Sequence, residues 1–124
     1  MVKINDDQSI CVTRGDTVYF SVLAENSEGK QYQFKVGDVV RIKVFGKKDC
    51  SSVLLCKEFP VTAEGARADI FLSSAETRIG DVINKPKDLW YEIELNPNSE
   101  PQTIVGYDEN GPKIFRLYPE GKDI

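Results

Sequence analysis

The chain has 124 residues, 40% apolar and 29% charged, which suits one folded domain with its own core and excludes a disordered segment. Twenty acidic against sixteen basic residues leave a formal charge of −4, with the bases scattered among acids, as in Arg41/Lys43 and Arg67/Asp69. Phosphate backbones are held by clustered positive charge, so no nucleic-acid partner is expected. No run approaches the ~18 apolar residues that span a bilayer, and Met1 to Asp7 lack the apolar stretch of a secretory leader. Neither a membrane nor export is expected.

Period-two alternation dominates the chain from there on. Ile10 to Thr13 reads as a short strand, followed by the turn-like Arg14-Gly15-Asp16. Thr17 to Glu25 sends Val18, Phe20, Val22 and Ala24 to one face and Tyr19, Ser21 and Leu23 to the other. The turn Asn26-Ser27-Glu28-Gly29 leads to a short Gln31 to Phe34 segment, and Gly37-Asp38 reads as turn punctuation. Val40, Ile42 and Val44 then alternate with Arg41 and Lys43. Val53 to Phe59 begins apolar on both faces, which suits a central strand and leaves its register open.

Ala68, Ile70 and Leu72 alternate with Asp69 and Phe71, and a short helix follows near Ser73 to Ile79. Ser73 with Glu76 has the spacing of a capping box, and Gly80 offers a left-handed stop. Asp81 to Asp88 reads as a crossover loop. Leu89, Tyr91, Ile93 and Leu95 then alternate with Trp90, Glu92 and Glu94. Gln102 to Tyr107 and Lys113 to Tyr118 close the series, with Asn110-Gly111 as a hairpin signal between them. About eight short strands with turn chemistry between them predict an all-β fold, an antiparallel, Ig-like β-sandwich forming one domain over residues 1–124.

The chemistry-bearing residues are few. There is no histidine, which removes Ser-His-Asp, Cys-His and His-metal arrangements. No phosphate-cradling glycine loop appears. Cys11, Cys50 and Cys56 cannot all pair within one chain and have no zinc-ligand spacing, so they read as free structural thiols in a reducing cytoplasm. Glu92 and Glu94 share a strand face, where a solvated pair is the expectation and a glycosidase-like pair would need a covering cleft. Asp6-Asp7 together with Asp108-Glu109 could offer oxygens to calcium but lack an ordered loop pattern. The tripeptide Arg14-Gly15-Asp16 matches an adhesive motif of high chance frequency. No catalytic, cofactor or metal site is therefore expected. What stands out is aromatic: Trp90, Phe71 and Tyr19 fall on faces opposite the expected cores of their strands, where large apolar groups mean either a docking surface or a register shifted by one residue or a covering loop.

Four stretches taken in order carry a resemblance: Thr13-Arg14-Gly15-Asp16-Thr17-Val18-Tyr19-Phe20, Val36-Gly37-Asp38-Val39-Val40-Arg41-Ile42, Ala68 to Thr77, and Leu89-Trp90-Tyr91-Glu92-Ile93-Glu94-Leu95. With the tail Thr103 to Gly121, this order resembles the N-terminal β-sandwich domain of phage baseplate upper proteins, in versions from Firmicutes prophages. The resemblance covers residues 8–121. It implies a non-catalytic assembly module, made in the bacterial cytoplasm and ending in the virion tail. Its partners would be other tail or baseplate proteins or further copies of itself, held by an aromatic anchor such as Trp90. The chain stops right after this domain, so the expectation is attachment to a tail neighbour and not a bridge to a receptor-binding head. The alternative is a carbohydrate-binding sandwich in which Trp90 or Tyr107 stacks on a sugar ring.

Overall fold

A computed structural model describes residues 2–5, 7–25 and 28–121. Among them the chain forms β1 (Val2–Ile4), β2 (Ile10–Thr13), β3 (Val18–Val22), β4 (Val39–Phe45), β5 (Val53–Pro60) and β6 (Ala68–Leu72). These are followed by α1 (Ser74–Thr77), β7 (Lys87–Leu95), β8 (Gln102–Val105) and β9 (Lys113–Tyr118). The fold is all-β, as the alternation predicts, and sandwich-like. No helix among the described residues is long and apolar enough to cross a membrane.

The two layers are unequal. A seven-stranded sheet runs β1-β2-β9-β7-β4-β5, with β8 also on β7, and faces a ribbon of only β3 and β6. β7 is the axis of the large sheet. It pairs with β4 on one side, and with β9 and then β8 on the other. The alternating apolar sets point inward: Val40, Ile42 and Val44 from β4, Leu89, Ile93 and Leu95 from β7, and Val18, Ile70 and Leu72 from the ribbon. Phe34 is fully buried between them although it lies outside the strands. Its backbone is clamped to Gly65 by hydrogen bonds of 2.8 and 3.2 Å.

Several expectations are revised. β2 pairs with β9 in parallel, so the sandwich is not wholly antiparallel. These strands lie at opposite ends of the chain, and no tight turn forces them to run opposite ways. The strand from Val53 is an edge and not a central strand, pairing only with β4 and leaving Val53 and Leu54 exposed. β1 is an additional, ninth strand. Gln31 and Phe34 form only isolated bridges. Asn26 and Ser27 of the expected turn lie outside the described residues.

The capping box at α1 is present in full. The Glu76 backbone N–H donates to the Ser73 hydroxyl, and the Ser73 N–H donates back to the Glu76 carboxylate. The helix ends at Thr77, because Arg78 leaves helical geometry. Gly80 does adopt the left-handed conformation (φ 68°), but beyond the helix end. Gly37 (φ 99°) carries the chain into Asp38, which is more than punctuation. Its carboxylate accepts from the Tyr32 hydroxyl (2.8 Å), the Lys35 N–H (2.9 Å) and the Asn96 amide (3.1 Å). Burial opposes the charge, but these donors hold the Asp38 carboxyl below its ordinary range.

Candidate functional site

The β3–β6 ribbon turns Val18, Val22, Ile70 and Leu72 inward, so the intervening residues must face water. Tyr19 and Phe71 are direct cross-strand partners on that outer face, 65% and 43% exposed. Aromatic side chains this exposed, side by side, are what a docking face presents. The next pair along is Ser21 and Asp69, whose side chains bond at 2.7 Å. Hydrogen bonding to Asp69, and then its charge, raises the Tyr19 phenol above its ordinary pKa.

The sequence reading missed the residue that fixes one side of this face. On β5, Leu55, Lys57 and Phe59 lie opposite Val44, Ile42 and Val40, so Lys57 occupies an inward position of the edge strand. Its ammonium escapes the core by bending over the free side of β6. There it donates to the Phe71 carbonyl (2.9 Å) and to Glu76 (2.6 Å). It also lies 5.2 Å from the Phe59 ring centroid and 5.4 Å from that of Phe71, each contact contributing about 0.5–1 kcal/mol at such sites. Burial opposes ionisation of Glu76, yet the bonds from Lys57 and Ser73 keep its carboxyl below the usual range. An inward lysine also blunts an edge strand against pairing with another chain. The readable signal was a charge set between Leu55 and Phe59 on the apolar side of the alternation.

The other predicted site residues do not join this face. Trp90 is half-buried on the outer face of the large sheet, in register between Phe45 and Ile114. Phe45 itself is only 4% exposed, and cross-strand neighbours of that size shield the indole. Tyr107 is exposed, but it sits in the turn between β8 and β9. The structure therefore brings Tyr19 and Phe71 together and leaves Trp90 and Tyr107 apart from them.

Glu92 and Glu94 are not a freely solvated pair. Glu94 is held by Arg41 at 3.1 Å and Lys43 at 3.9 Å, with these side chains 15–26% exposed. Burial and then the neighbouring Glu94 raise the Glu92 carboxyl. The adhesive reading of Arg14-Gly15-Asp16 fails on burial. Arg14 is 8% exposed, donates to the Gly80 carbonyl at 3.0 Å, and has Glu120 at 3.9 Å.

Asp7 does lie near the Asp108–Gly111 turn, lining one small hollow with Asn110 and Lys113. The positive charge there is the Lys113 ammonium, 2.6 Å from the Asp108 carboxylate. Asp6 lies outside the described residues. Cys11 is buried, Cys50 is half-buried and Cys56 is exposed on the outward side of β5. No protein-family model, curated protein or solved structure matches this chain.

Proposed function

We propose that the chain is a non-catalytic assembly module of a phage tail, held to other tail or baseplate proteins through the Tyr19/Phe71 face of the β3–β6 ribbon. The observation that carries this reading is that pair of exposed rings, set directly opposite one another on a short ribbon and braced by Lys57. The order of sequence elements that resembles baseplate upper proteins supplies the setting. An anchor of adjacent aromatics with a polar surround is the usual energetic centre of a protein interface. The Trp90 anchor expected from the sequence gives way to Tyr19 and Phe71, because the indole is shielded.

The test is prophage induction followed by mass spectrometry of purified particles. The chain is expected among the structural proteins, and its absence from every particle refutes the reading. A Tyr19→Ala/Phe71→Ala double variant is expected to fold normally, since exposed side chains contribute little to stability, and to be lost from particles. A second reading, a carbohydrate-binding module, draws on the same rings with the Asp69 carboxylate beside them. A saturable hit on a glycan array, abolished by Tyr19→Ala, would favour it over assembly.

A further inference from the structure

Among the described residues, the two-stranded ribbon leaves one side of β3 without a paired strand. β3 pairs only with β6, and the hydrogen-bond pattern shows which groups are left over. The Phe71 carbonyl accepts from the Lys57 ammonium of the other sheet, and the Ser73 N–H, which would bond Thr17 if Tyr19 and Phe71 were a hydrogen-bonded pair, donates instead to Glu76. In an antiparallel ladder, N–H and C=O of one residue point the same way, so Phe71 and Tyr19 form a non-hydrogen-bonded pair. The N–H and C=O groups of Tyr19 and Ser21 therefore point outward along the free edge of β3. Among the described residues, no backbone bond outside the ribbon uses them.

Beside that edge the two layers leave a gap. It borders an apolar cleft of about 250 Å³ lined by Phe20 and Val22 from β3 and by Ile4, Ile10, Tyr91 and Ile93 from the large sheet. The cleft continues past Gln8 and Leu23 into a second hollow of about 400 Å³, where Glu25 is the one charged lining residue among the described residues. The remaining edges are guarded. β5 carries the inward Lys57 and ends on Pro60, while β1 and β8 are three and four residues long. Val18–Val22 contains no charge, proline or glycine, so it lacks the devices by which proteins protect an edge.

We propose that this edge and cleft receive one extended segment of a partner protein, adding a third strand to the β3–β6 layer. The segment would be apolar at alternate residues, where its side chains enter the cleft, and would carry a lysine or arginine where it passes Glu25. A second copy of this chain is the less suited occupant: Ile4 and Ile10 of the large sheet line the same cleft, and a second β3, which carries its own large sheet, brings more bulk to this lane than a single strand does. The inference deepens the assembly reading and rests on it for the partner being a protein. The two fail separately, because one is read on purified chain and the other on particles.

The probe is a set of capped nine-residue peptides with Val or Ile at alternate positions and Thr or Ser between, bearing Lys, Ala or Glu at either end. Binding to the full chain is followed by titration calorimetry, and self-association by light scattering. Saturable binding is expected, with a Lys-ended peptide bound about fivefold or more tighter than its Glu-ended counterpart. Glu25→Lys should invert that order. Ser21→Pro removes a free-edge N–H that the β6 ladder does not use, and should lower affinity about tenfold or more. N-methylation of the peptide amides that would face β3 should do the same on unaltered protein, which removes dependence on the folding of the proline variant. No binding by any peptide, binding indifferent to both N-methylation and Ser21→Pro, or a self-associated state abolished by Ser21→Pro would overturn the proposal.

Discussion

Thr77→Val tests how the short helix is tied to the sandwich. Thr77 is fully buried, and its hydroxyl accepts from the Gly15 N–H at 3.0 Å and donates to the Asp16 carbonyl at 2.7 Å. Beside it, the Ser74 hydroxyl donates to the Gly15 carbonyl at 2.6 Å. These bonds join α1 to the β2–β3 turn, and so join the Glu76 and Lys57 network to the start of β3. Valine keeps the shape and removes the hydroxyl, leaving the Gly15 N–H without its acceptor and the Asp16 carbonyl without this donor. Loss of its bond costs a buried polar group about 1–3 kcal/mol, and the Gly15 N–H and the Asp16 carbonyl are only half-buried, so the two losses together cost about 2 kcal/mol.

That is a large share of the ~5–15 kcal/mol that holds a domain folded. Urea denaturation followed by tryptophan fluorescence should show a lower midpoint with an unchanged slope. Thr77→Ser keeps the hydroxyl and loses one methyl group, so it should cost only about 1 kcal/mol. A valine variant within about 0.5 kcal/mol of wild type, or a serine variant worse than the valine, would refute the reasoning.

The raised Glu92 carboxyl keeps its proton in the folded state to a higher pH than in the unfolded chain, so its contribution to stability falls as pH rises from the ordinary glutamate range through the raised value. Glu92→Gln should therefore gain on wild type as pH rises above the ordinary glutamate range; a stability gap independent of pH, or one of opposite slope, would contradict this. Glu76 has the opposite sign. Its lowered carboxyl contributes stability that is present above the ordinary range and lost as pH falls through the folded value, so Lys57→Met should flatten the acid limb of the stability profile. The same substitution removes the inward charge from the β5 edge, leaving only Pro60 at its end, and light scattering should report concentration-dependent association that wild type does not show.

The legible features were local ones. Alternation located eight of the nine strands because a half-buried strand writes its period into its own residues, as in Leu89 to Leu95 or Ala68 to Leu72. The α1 cap was readable because Ser73 and Glu76 reach each other within a single turn. β1 was missed because three residues carry too little pattern. The edge position of β5 was misjudged because an apolar start resembles a central strand, although Lys57 between Leu55 and Phe59 marked it. Trp90 was placed on the correct face, but its shielding comes from Phe45 and Ile114 on neighbouring strands.

By itself, then, the sequence determined an all-β domain, the inward and outward faces of its strands and the capped helical turn, since these depend on residues a few positions apart. The tertiary structure alone decided that Tyr19 meets Phe71, that β2 runs parallel to β9, that Lys57 bends over β6 and that β3 keeps a vacant edge beside an apolar cleft. Each of these depends on which strands become neighbours. That choice is made by packing between segments far apart in the chain, and it leaves no periodic mark in either segment.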